Sequence, residues 1–247
     1  MSSRPSLSTG ARAADRVLAL GWALAGITGT IFLLAHVVNH VALDDRIGEL
    51  QASAEQNVWS WAASMATLVA GLSTLIYARS SRRPRRAWAL GALLVFFALD
   101  DYVEIHENLG AGVSEALSFP DYVGPRLWVV LYLPLVGAAA ALLWSLAEEL
   151  GGRARSRILA GAALLAAGYL LEAAGILTKR LEDRGVELPH ALRAGLEESA
   201  ELAGLIVLAS ALTAGMLGTP SERREEDDVA DRVLPGQHHR KPVDSEA

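Results

Sequence analysis

Cysteine is absent from this 247-residue chain. Thiol catalysis, disulfides and cysteine-ligated zinc are excluded with it. Lysine is nearly absent: Lys179 and Lys241 are the two among 22 basic residues. Aromatics make up 6%, too few for the girdles of a membrane β-barrel. There is no basic domain and the formal net charge is -6, which argues against nucleic acid as a partner.

What the chain has is apolar length. It is 52% hydrophobic and 20% charged, with a mean hydropathy of +0.29. The two populations are segregated: windows such as 126–147 and 157–178 hold almost no charge, while connections and tails hold nearly all of it. A spanning helix needs about 20 mostly apolar residues. Six stretches qualify: 17–43, 58–78, 87–107, 127–147, 158–178 and 198–217. The third and sixth reach full length only by taking in acidic residues. The reading is an all-α polytopic membrane bundle of six transmembrane helices. Residues 1–16 form a cytoplasmic tail, 17–217 the membrane domain, and 218–247 a disordered cytoplasmic tail. The arginines followed by an apolar stretch in 1–35 imitate a signal peptide, but the run continues through His36 to Val41, so it reads as an uncleaved first span.

Arginine counts set the orientation. Arg4, Arg12, Arg16, Arg79, Arg82, Arg83, Arg85, Arg86, Arg153, Arg155 and Arg157 fall on one side. Arg46, Arg126, Lys179, Arg180, Arg184 and Arg193 fall on the other. Both termini are therefore expected in the cytoplasm. The preference for Arg, Ala and Gly is that of a GC-rich bacterial genome, hence a bacterial inner (plasma) membrane. The lipid bilayer is the one expected partner; the oligomeric state is open.

The informative oddity is a layer of ionisable groups. At a rise of about 1.5 Å per residue from the cytoplasmic ends, Asp100, Glu172, Glu201, Glu104, His36 and Glu198 all fall roughly 20 to 28 Å up a core of about 30 Å. His40 shares a helix face with His36. On a continuous third helix Asp100, Glu104 and Glu107 share a face, and His106 points elsewhere. Tyr102 and Trp128 read as interface anchors, as does Lys179. Gly91, Gly137, Gly161 and Gly168 read as close helix contacts.

Buried acids need compensation, and no intramembrane Lys or Arg is expected beside these. The leading expectation is a metal site of His36, His40, Asp100, Glu104, Glu172, Glu198 and Glu201, holding a divalent Zn, Fe or Mn ion through mixed oxygen and nitrogen ligands. Such a site could serve an enzyme acting on a lipid or periplasmic substrate, with catalytic residues unassigned. The alternative is a proton- or cation-coupled transporter or channel using the same acids. Residues Leu99-Asp100-Asp101-Tyr102-Val103-Glu104-Ile105-His106-Glu107, with Glu197-Glu198-Ser199-Ala200-Glu201, resemble a group of bacterial multi-spanning membrane proteins. That group carries an LD(E/D)…IHE helix end and a later EE-rich helix. The resemblance brings no catalytic assignment.

Overall fold

A computed structural model describes residues 9–52, 57–118, 124–182 and 188–217. The C-terminal tail beyond residue 217, expected to be disordered, lies outside the described residues. The side chains of Glu107, Glu172, Lys179 and Arg180, among others, lie outside them too.

Among the described residues the α-helices are α1 (Thr9–Leu43), α2 (Val58–Tyr77), α3 (Pro84–Val103), α4 (Ile105–Ala116), α5 (Gly124–Leu150), α6 (Gly152–Glu182) and α7 (Leu188–Leu217). Each boundary has a local cause. Asn57 caps α2 by accepting the Ser60 N–H at 2.9 Å, satisfying an otherwise orphaned donor. Pro84 opens α3, where its missing N–H costs nothing. Gly151 and Gly152, both at positive φ, join α5 to α6 with almost no loop.

Five of these helices are long and apolar enough to cross a membrane, and α3, which carries Asp100 and Asp101, is not among them. The surface of α1 shows the solvent such a bundle needs. Leu20, Leu24, Ile27, Ile31, Leu34, Val38 and Val41 recur every three or four residues and are 49–66% exposed. The opposite stripe, Leu18, Gly21, Ala25, Gly29, His36 and Asn39, is buried. A helix apolar on its exposed face as well as its buried one is stable against lipid rather than water.

The long helix α7 is the centre of the bundle and packs against α1, α2 and α6. Glycines set the closest approaches. A Cβ on Gly161 would lie 2.9 Å from the Gly204 carbonyl oxygen, and a Cβ on Gly204 would lie 2.9 Å from that of Gly161. Gly71 and Gly91 play the same part between α2 and α3. Gly137 does not, because nothing lies within 4 Å of its position; the expectation of a close contact there is corrected.

Two boundaries differ from expectation with consequences for the site. The third helix does not continue to Glu107. It stops at Val103, Glu104 adopts a left-handed conformation (φ 59°), and α4 begins at Ile105. The last helix does not open at Glu198 but ten residues earlier at Leu188. A hydropathy window is truncated by acids; the backbone is not, once those acids have partners inside the bundle. Glu197, Glu198 and Glu201 therefore lie on the body of a helix, and the favourable dipole of a first turn does not account for them.

Candidate functional site

The break at Glu104 builds a buried polar cluster. The left-handed residue there brings the start of α4 onto Asp100, the last buried residue of α3. One Asp100 carboxylate oxygen accepts the His106 backbone N–H at 3.0 Å and the Tyr132 hydroxyl at 2.8 Å. The other meets His106 Nδ1 at 2.9 Å. Asp100 is thus the N-terminal cap of α4 contributed from another helix, where its negative charge also suits the dipole. A carboxylate only accepts, so Nδ1–H is the donor of this bond.

Aromatic rings enclose the imidazole. Trp128 and Tyr132, one turn apart on α5, present their rings 4.6 and 5.7 Å from His106. Phe96 of α3 lies against Tyr132 at 6.4 Å. His106, expected to point away, is at the heart of the cluster, and Trp128 packs on it rather than serving only as an interface anchor. The misplacement of His106 traces to the helix break, because a 100° step per residue fails across a left-handed residue. Tyr132 carried one legible signal, its i, i+4 spacing from Trp128.

The other predicted residues take separate places. His36 is 2% exposed and fully used: Nε2–H donates to the Ala191 carbonyl at 3.0 Å, and Nδ1 accepts the Ala52 N–H at 3.2 Å. It stitches α1 to α7 and to the segment before α2. Gly195 makes room for its ring, since a Cβ there would sit 2.8 Å from the imidazole. His40 pairs with Asp45 at 2.9 Å. Asn39, fully buried, grips Ile47 through its amide N–H at 2.9 Å and its carbonyl at 3.1 Å. We expect His36→Ala to orphan a buried carbonyl and N–H and cost about 1–3 kcal/mol. Thermal unfolding of the purified protein in detergent measures this loss.

On α7, Glu197 is ion-paired with Arg193 one turn away, both side chains 13% exposed. Arg193 also donates to the Leu171 carbonyl at 3.1 Å. Arg193, assigned to a loop from the sequence, lies on α7 because that helix starts early. Glu201 lies across α6, where a Cβ on Gly168 would come 2.3 Å from its Cγ. Glu198 and Glu104 are half-buried. Glu172 is on α6, one turn beyond Gly168, with its side chain outside the described residues. Asp101, not among the expected ligands, accepts the Ser64 hydroxyl of α2 at 2.5 Å.

The structure thus brings Asp100 together with His106 and Tyr132, and sets Glu201 against Gly168 of α6. Of the seven expected ligands, the Glu172 side chain lies outside the described residues, and among the described residues no three His, Asp or Glu side chains stand together as a metal site.

Apolar lipid-facing helices around a buried polar layer define a multi-pass α-helical membrane protein. Within that class the chain belongs to the family described as a domain of unknown function, DUF8692, whose model matches residues 17–214. No curated protein and no solved structure matches it.

Proposed function

We propose that this protein moves protons, or a solute coupled to them, across a bacterial inner membrane, with six spans and both termini in the cytoplasm. The observation that carries the reading is the Asp100–His106 pair at the α3–α4 break, enclosed by Trp128 and Tyr132. A carboxylate bonded to an imidazole inside an apolar bundle offers the acceptor and donor from which intramembrane proton relays are built. A helix interrupted beside a titratable site is also a feature of transporters. The acids on α7 favour the same reading, since Glu197 already has a fixed cation in Arg193.

The test is a pH-jump flux assay in proteoliposomes. Wild type is expected to dissipate an imposed proton gradient at least ten times faster than empty vesicles, and His106→Gln to fall to near the empty-vesicle rate. Equal rates for wild type and empty vesicles, with and without candidate ions, would sink the reading.

Metal binding is the second reading, favoured by one feature: an imidazole held through Nδ1–H by a carboxylate is how ligating histidines are usually oriented. Metal analysis of tag-free protein separates the two. Near-stoichiometric Zn, Fe or Mn that His106→Gln abolishes would put the metal first.

Orientation is tested with introduced cysteines, since the chain has none of its own. Gly112→Cys, at an exposed position with nothing within 4 Å, should react with an impermeant thiol reagent on intact cells. Arg82→Cys should react only after lysis. The opposite pattern would place the acidic end in the cytoplasm.

A further inference from the structure

At the opposite end of the bundle, the α2–α3 connection and the start of α3 carry Arg79, Arg82, Arg83, Arg85 and Arg86, all exposed. Charge of this sign beside apolar helices is ordinary, but its arrangement here is not. The guanidinium NH1 atoms of Arg83 and Arg86 both donate to the Ser145 hydroxyl of α5, each at 2.9 Å. Their terminal nitrogens are therefore no farther apart than twice 2.9 Å. A neutral hydroxyl satisfies two hydrogen bonds and compensates neither charge. The Glu148 carboxylate stands 4.0 Å from Arg83 and accepts the Trp144 indole N–H at 2.9 Å. Glu149 serves the connection instead, taking the Tyr77 hydroxyl at 2.9 Å, the Ser81 hydroxyl at 2.9 Å and the Arg82 N–H at 2.7 Å. Those bonds fix the loop that presents the arginines.

Arg83, Pro84, Arg85 and Arg86 line an open pocket of about 260 Å³. Trp88 lies one turn along α3 from Pro84, and Trp144 directly precedes Ser145; they are 47% and 51% exposed, as indoles between headgroups and acyl chains are. Ile76 and Leu72 of α2, which leads into the arginine-bearing connection, present exposed apolar side chains, 53% and 48%.

We propose that this pocket binds the phosphate of an anionic phospholipid. Arg83 and Arg86 are the paired donors, Arg85 is a third charge, and the acyl chains lie along the apolar flank below Trp88. Phosphate is the chemistry a guanidinium pair recognises in fork geometry. The commitment to a lipid rests on the tryptophans and the apolar flank, which a free anion would not use.

The test is native mass spectrometry of detergent-solubilised protein titrated with phosphatidylglycerol or phosphatidylcholine of identical chains. Phosphatidylglycerol adducts should exceed phosphatidylcholine adducts at least fivefold. The double variant Arg83→Gln/Arg86→Gln should bring them to the phosphatidylcholine level. Arg46→Gln, at the acidic end, should leave them unchanged. Arg85→Gln gives an independent reading should the double variant fold poorly, because the Arg85 side chain makes no hydrogen bond among the described residues; it should weaken the preference by at least twofold. Equal retention of the two lipids by wild type would overturn the proposal. So would undiminished phosphatidylglycerol binding in both variants, or displacement by equimolar inorganic phosphate, which would make a free anion the ligand.

Discussion

Asp100→Ala should both destabilise the protein and abolish any proton flux. Three donors converge on this carboxylate: the His106 N–H, the His106 Nδ1–H and the Tyr132 hydroxyl. Asp100 is 4% exposed, so water cannot replace it without rearrangement. Leaving buried donors without their acceptor costs about 1–3 kcal/mol for each such group, and α4 loses its cap as well. Asp100→Asn separates stability from charge. Its amide oxygen can still take the Tyr132 hydroxyl and the His106 N–H, but its NH₂ faces Nδ1–H, donor against donor. The imidazole must then change tautomer, so stability should recover in part while flux stays near that of empty vesicles. Tyr132→Phe removes one bond to a charged acceptor, worth about 1.5–3 kcal/mol, and should leave measurable flux. Thermal unfolding in detergent and the proteoliposome assay read the two effects separately. Full flux in Asp100→Asn would remove the pair from the mechanism.

A second large effect is expected where α6 crosses α7. Gly161→Leu or Gly204→Leu forces a side chain into a contact already closed at 2.9 Å between a Cβ position and a backbone carbonyl. Backbone cannot swing aside as a flexible side chain can, so the helices must part. Overpacking of this kind costs about 1–3 kcal/mol and occasionally more; we expect the upper end, because the helices that separate also carry Glu201 over Gly168 and Arg193 against Leu171. Gly26→Ala and Gly137→Ala, with open space around them, should be neutral or stabilising by up to about 1 kcal/mol through helix propensity. Comparable melting temperatures for Gly204→Leu and Gly137→Ala would show that the close approach does not hold the bundle together.

The lipid-exposed helices were legible because their cause is local. A stretch such as 17–43 needs no partner to declare itself: its length and its lack of charge identify the phase it sits in. The acids and histidines stood out as well, since ionisable groups interrupt those apolar runs. What each of those groups does was not. His36 shares its face with His40, yet it is a seam between α1 and α7, because Ala191 and Ala52 come within reach only when the bundle closes.

The same division explains the errors. Sequence alone determined an all-α, cysteine-free chain of lipid-facing helices with acids near one end and arginines near the other, since composition and periodicity act residue by residue. Only the tertiary structure decided that Glu104 turns left-handed, that Arg193 enters a helix to meet Glu197, and that His106 rather than His36 joins Asp100. In a membrane an acid ends a hydrophobic window on paper, whereas in the folded bundle a hydrogen bond or a cation from another helix lets the segment continue past it. Partners of that kind are far apart in sequence, Asp100 and Tyr132 by 32 residues, and no local pattern records which of them will meet.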